Sequence, residues 1–180
     1  MSRSHSLALR LLPALLVSTI LLVNPRNAHA KSGTSIGADI DYTNGIDEPT
    51  ANKGGSGFNG RLGYKLDLKL LQLTPEIGGA YHAFGGDAGV KLAQGIAGAR
   101  VSFLKVLEPG AYAHIGYGHL SGNVGDGRSG ATVDAGLTLD LTLLPLVDIG
   151  IHGGYNALLK SADSPAFDSY VLGVHAALIF

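Results

Sequence analysis

Near the middle of the chain, His119 and Ser121 stand two residues apart in His119-Leu120-Ser121-Gly122-Asn123. A histidine beside a serine is the smallest set that performs acyl transfer: the imidazole takes the hydroxyl proton while the oxygen attacks a carbonyl. On an extended strand, residues two apart share a face, so the pair could serve one substrate. An imidazole also needs an acid to orient it, and Asp134, in a later alternating segment, falls on the opposite face. The same residues read equally as the polar root of a loop.

A second constellation is spread along the chain: Asp39, Arg61, Glu76, Arg100, His114, Asp134, His152 and His175. Gathered in one interior, these groups would make either a proton-responsive, gated pore or a self-satisfied network that fills the space. Glu76 is expected to pair with Arg61, Arg100 or both. On that view Glu76→Gln would lower stability and loosen the plug enough to raise conductance. No two of the histidines share a local ligand spacing, so neither a metal site nor a cofactor is expected. Asp47, Glu48 and Asp126 in Gly-rich segments could touch divalent cations, but none has the spacing of a calcium loop.

From Lys31 onward the positioning elements are strands, because apolar and polar residues alternate with period two. Eight segments qualify: 34–42, 57–68, 71–84, 93–103, 109–119, 130–141, 146–156 and 167–180. The sixth segment shows the rule most cleanly: Val133, Ala135, Leu137 and Leu139 alternate with Asp134, Gly136, Thr138 and Asp140. The connections run long, short, long, short, long, short, long. That pattern predicts an all-β, eight-stranded antiparallel up-and-down transmembrane β-barrel with short periplasmic turns and longer external loops.

The apolar face carries its aromatic residues at the strand ends. Tyr42, Phe58, Tyr81, Tyr117, Tyr155 and Tyr170 adjoin the long connections, while Phe103 and Phe180 adjoin a short turn or the terminus. Two such girdles flanking an apolar band describe a lipid-facing wall. The opposite face mixes charges with glycines, as a narrow lumen requires. A lipocalin-like soluble barrel, with the faces exchanged, is the alternative this placement disfavours.

The first thirty residues differ from the rest. Arg3 and Arg10 precede the apolar run from Leu11 to Val23, and Ala28-His29-Ala30 has the small-x-small form of a cleavage site, so 1–30 reads as a signal peptide and 31–180 as the barrel. Three of the 13 basic residues lie in that segment and none of the 14 acids does, leaving 10 against 14 and a formal charge of −4. Such a balance excludes a basic stripe for nucleic acid. The chain has no cysteine, hence no disulfide framework.

The ending Tyr170-Val171-Leu172-Gly173-Val174-His175-Ala176-Ala177-Leu178-Ile179-Phe180 resembles the terminal strand of bacterial outer-membrane barrels. With the strand count, the chain resembles the small eight-stranded members of that group. The resemblance implies a bacterial outer-membrane location and recognition by the barrel-assembly machinery through the strand ending at Phe180. The leading expectation is a monomeric, porin-like, non-enzymatic scaffold with surface loops and a narrow or plugged pore, in contact with outer-membrane lipid and lipopolysaccharide. Within the same architecture, His119 and Ser121 loosely resemble the His-x-Ser-Asn motif of the lipid A deacylases, which implies a lipid A-modifying hydrolase as the alternative. The chain departs from that motif by Gly122 before Asn123, and has Val133 where the family's acid stands.

Overall fold

The computed structural model describes residues 32–46, 50–51, 53–86, 89–122, 127–144, 146–159 and 166–180. The proposed signal peptide, the loop acids Asp47, Glu48 and Asp126, and Asn123 lie outside the described residues. Eight strands follow one another: β1 (Gly33–Gly45), β2 (Gly54–Asp67), β3 (Leu71–Ala83), β4 (Lys91–Phe103), β5 (Leu107–Ser121), β6 (Arg128–Leu144), β7 (Val147–Leu158) and β8 (Phe167–Ile179). Each pairs antiparallel with the next, and β1 pairs with β8 to close the barrel. Closure leaves no strand edge with unpaired backbone groups, the condition for crossing lipid with strands.

The strand ends reach somewhat beyond the alternating segments. Polar ladder positions such as Thr43 and Arg128 continue the hydrogen bonding after the apolar signal has faded. Phe84 is a correction in the other direction: β3 stops at Ala83, and Phe84 turns inward to a buried position. Pro75 sits inside β3 and lacks an N–H, and there the β2–β3 register is interrupted between Gly63↔Glu76 and Leu66↔Leu73. In the turns 68–70 and 104–106, Lys69 and Leu104 take positive φ (76° and 69°), and the Asp67 carboxylate accepts the Lys69 N–H at 2.9 Å.

The wall is inside-out relative to a soluble protein. Ile36, Leu62, Ile77, Ile115, Leu137, Ile149 and Val174 are exposed on the outer face, and Val101 on the same face is half-buried. Arg61, Glu76 and Asp134 are buried within the barrel and Arg100 is largely enclosed. A water-soluble barrel would place these two sets the other way round.

Candidate functional site

The lumen is stacked in three layers. At the end with short turns, the Lys65 ammonium donates to Glu108 (3.0 Å) and Asp148 (2.8 Å). Thr142 Oγ1 donates to the other Asp148 oxygen (2.6 Å), and Gln72 spans from Glu108 to the Leu104 carbonyl. Five strands, β2, β3, β5, β6 and β7, supply this one cluster because their inward positions share a height next to the turns.

The middle layer holds the residues picked out by the sequence. Arg61 bridges two carboxylates: Nη2 donates to Asp39 (2.5 Å) and Nη1 to Glu76 (3.1 Å). On its other side, Glu76 meets His114 Nε2 (2.8 Å), whose Nδ1 lies 3.1 Å from Asp134. Arg100 approaches Glu76 and Asp140 only at 3.9 and 3.8 Å, and its Nη1 is 3.2 Å from His175 Nε2. His175 also bonds Asp140; its Nδ1 faces His152 Nδ1 (3.2 Å), and His152 Nε2 reaches Asp41 (2.9 Å). Of the two expected partners of Glu76, Arg61 is the close one and Arg100 the distant one. Buried charges on this scale are tolerable only when paired, and here every carboxylate of the layer has a cationic or imidazole partner.

Tyr112 belongs to this layer although the sequence reasoning passed over it. It points inward from β5, stacks on His114 (centroids 5.2 Å apart) and meets His152 edge-on at 6.3 Å. Its room comes from the paired Gly136↔Gly154: a Cβ on either would strike the Tyr112 hydroxyl. The signal was present in the parity of Tyr112 with His114.

At the end with long loops the lumen turns apolar. Phe84, Val90, Leu92, Leu158 and Phe167 form a buried cluster, with Leu120 packed against it and the Phe84 and Phe167 rings edge-to-face at 5.0 Å. The mixture of charges and glycines read for the inward face therefore does not extend to this apolar cap. Below this cap, two voids lined by described residues measure about 30 and 20 Å³, on the order of one or a few waters each.

On the outer wall, Tyr42, Phe58, Tyr81, Tyr117, Tyr155 and Tyr170 are exposed near the loop end, and Phe103 and Phe180 near the turn end. Tyr155 and Tyr170 pair edge-to-face at 6.1 Å. His119 is exposed there too, but its Nδ1 bonds Ser129 Oγ (2.8 Å) on the neighbouring strand, its cross-strand partner, rather than Ser121. The hydrogen bond described for His119 is to a hydroxyl, with no carboxylate among the described residues. Nor do the described residues include a cluster of His, Asp and Glu able to hold a metal ion.

A closed eight-stranded antiparallel wall with an apolar outside and an ion-paired inside defines the fold class: that of the small outer-membrane β-barrels. No family model matches the chain, and no curated protein matches it. Among solved structures it is similar to Neisserial surface protein A, with 16% identity, a TM-score of 0.68, and coverage of 83% of this chain and 98% of that one. It is also similar to the N-terminal β-barrel domain of Pseudomonas aeruginosa OprF (10% identity, TM-score 0.52, 83% and 100% covered). A third similar structure is the outer membrane enzyme PagL (15%, 0.52, 78% and 97%). At these identities the likeness is one of fold.

Proposed function

We propose that this chain is a bacterial outer-membrane scaffold protein whose barrel is closed to solutes and which presents its long loops outside the cell. The observation that carries the reading is the packed lumen: an apolar cap stands above an ion-paired middle, and the voids lined by Arg61, Glu76 and Arg100 and by Asp39, His114 and Asp134 measure about 30 and 20 Å³. An eight-stranded barrel is just wide enough for its own side chains, so sealing it requires no extra domain. The barrel works as a monomer in contact with outer-membrane lipid and lipopolysaccharide, and the strand ending at Phe180 is what the assembly machinery engages. It is not an enzyme. The hydrolase reading through His119 and Ser121 finds no acid on His119 among the described residues, and the imidazole is bonded instead to Ser129.

The test is planar-bilayer recording with purified protein. Insertion without stable single-channel steps is the expected result. A reproducible ohmic conductance from the unaltered chain would overturn the closed-lumen reading.

A further inference from the structure

The outer wall carries glycines that its backbone does not need. Gly60, Gly79 and Gly95 lie side by side across β2, β3 and β4, in the register Gly60↔Gly79↔Gly95, and the row ends at Tyr117 on β5. A Cβ on Gly60 or Gly95 would meet nothing within 4 Å, and one on Gly79 only the Gln94 carbonyl at 3.6 Å. None of the three has a positive φ. Inward glycines differ: a side chain on Gly98 would strike His114, and one on Gly154 would strike Tyr112. Glycine weakens a strand, and here neither packing nor conformation explains it.

What the three glycines make is a trough. The row above it is Phe58↔Tyr81↔Ala93↔His119 and the row below is Leu62↔Ile77↔Ala97↔Ile115. At about 3.4 Å per residue the backbones of these rows stand ~14 Å apart. Phe58, Tyr81, Tyr117 and His119 wall a groove of about 410 Å³ floored by Gly79, Ala93 and Gly95. It opens on the lipid-facing side, just under the aromatic girdle of the loop end.

The rim above the groove is cationic and polar. Lys91 is exposed one outward position above Ala93, beside Ser121 in the register, and makes no ion pair among the described residues. His119 and Ser129 complete that rim. We infer that the groove seats an acyl chain of one phosphorylated, multi-acyl glycolipid of the lipid A class, with Lys91 and His119 at its phosphate-bearing headgroup. The inference rests on the membrane reading above, which sets the loop end at the outer leaflet. It assigns no bond-making step: the lipid is held, not cleaved.

Retention of lipid by the full chain, extracted in detergent and measured by native mass spectrometry, tests it. The probes are lipid A, its dephosphorylated form, phosphatidylglycerol and phosphatidylcholine, added singly. The expected result is one lipid A kept per barrel at concentrations where neither phospholipid is kept. Gly95→Leu, which fills the trough into open space, should weaken retention about tenfold or more, equivalent to ~1.4 kcal/mol. Gly153→Leu on the far wall should leave it unchanged. Lys91→Gln should erase the preference for lipid A over its dephosphorylated form. Melting of each variant reports folding separately, and Gly79→Val serves if Gly95→Leu does not fold. Undiminished retention by folded Gly95→Leu, or equal loss in Gly153→Leu, overturns the groove. Equal retention of phosphatidylglycerol overturns the choice of glycolipid. A chain that fails to insert into vesicles would instead count against the membrane reading itself.

Discussion

The middle and the loop end of the same lumen are sealed by opposite means. Around Glu76 the space is filled by charges that hold one another through directional contacts of 2.5–3.2 Å. Around Leu92 it is filled by an apolar cluster, Phe84, Val90, Leu92, Leu158 and Phe167, held by dispersion contacts. A charged layer fails badly when one member is removed, because its partner stays buried and uncompensated. An apolar layer loses only the contacts deleted and the cavity left behind. Two seals in series also mean that breaking one does not open a path, which revises the expectation that Glu76→Gln alone raises conductance.

The largest expected effect is therefore in the charged layer. Glu76→Gln removes the carboxylate that Arg61 and His114 share and should cost about 3–5 kcal/mol, read as a lower denaturation midpoint in detergent. Its conductance should stay at the unaltered level; channel opening by this change alone would show that the cap does not seal.

Leu92→Ala, at a fully buried cap position, should cost about 2–4 kcal/mol. It too should leave the barrel closed, whereas Glu76→Gln combined with Leu92→Ala should give measurable conductance. If the double variant remains silent, some other part of the interior carries the seal.

A smaller effect contrasts inner and outer glycines. Gly154→Ala places a methyl against the Tyr112 hydroxyl and the Ala135 carbonyl and should cost about 1–3 kcal/mol. Adding Tyr112→Phe should recover part of that loss in thermal melting. The smallest effect is on the outside, where Gly60→Ala meets open space and should fall within about 0.5 kcal/mol of the unaltered chain. Equal destabilisation by the two alanines would erase the distinction between packed and unpacked glycines.

How far the sequence could be read follows from the same contrast. Strand number, facing and the membership of the middle layer were legible because charge alternates with apolar residues along β1, β6 and β7. The cap was not. At the start of β4 the inward Leu92 and Ile96 are larger and more apolar than the outward Ala93 and Gly95, so the period-two signal is reversed there. Tyr112 was hidden by the expectation that aromatic residues face lipid. The Ser129 partner of His119 depends on the β5–β6 register, which alternation within single strands does not determine. The glycine row is likewise a property of three registers at once.

The closure of β1 on β8 also has a temporal consequence. The seam joins residues near the start of the barrel to its last strand, as in Ser35↔Ile179, and the Thr34 N–H donates to the Phe180 carbonyl at 2.8 Å. Every other pairing joins consecutive strands and can form as soon as a hairpin is complete, but this one waits until all eight strands are in place. Contacts of such sequence separation are slow to form because the intervening chain must be ordered first. Until the seam shuts, the two flanking strands carry free edges, so the β1–β8 pairing decides when the barrel ceases to be sticky.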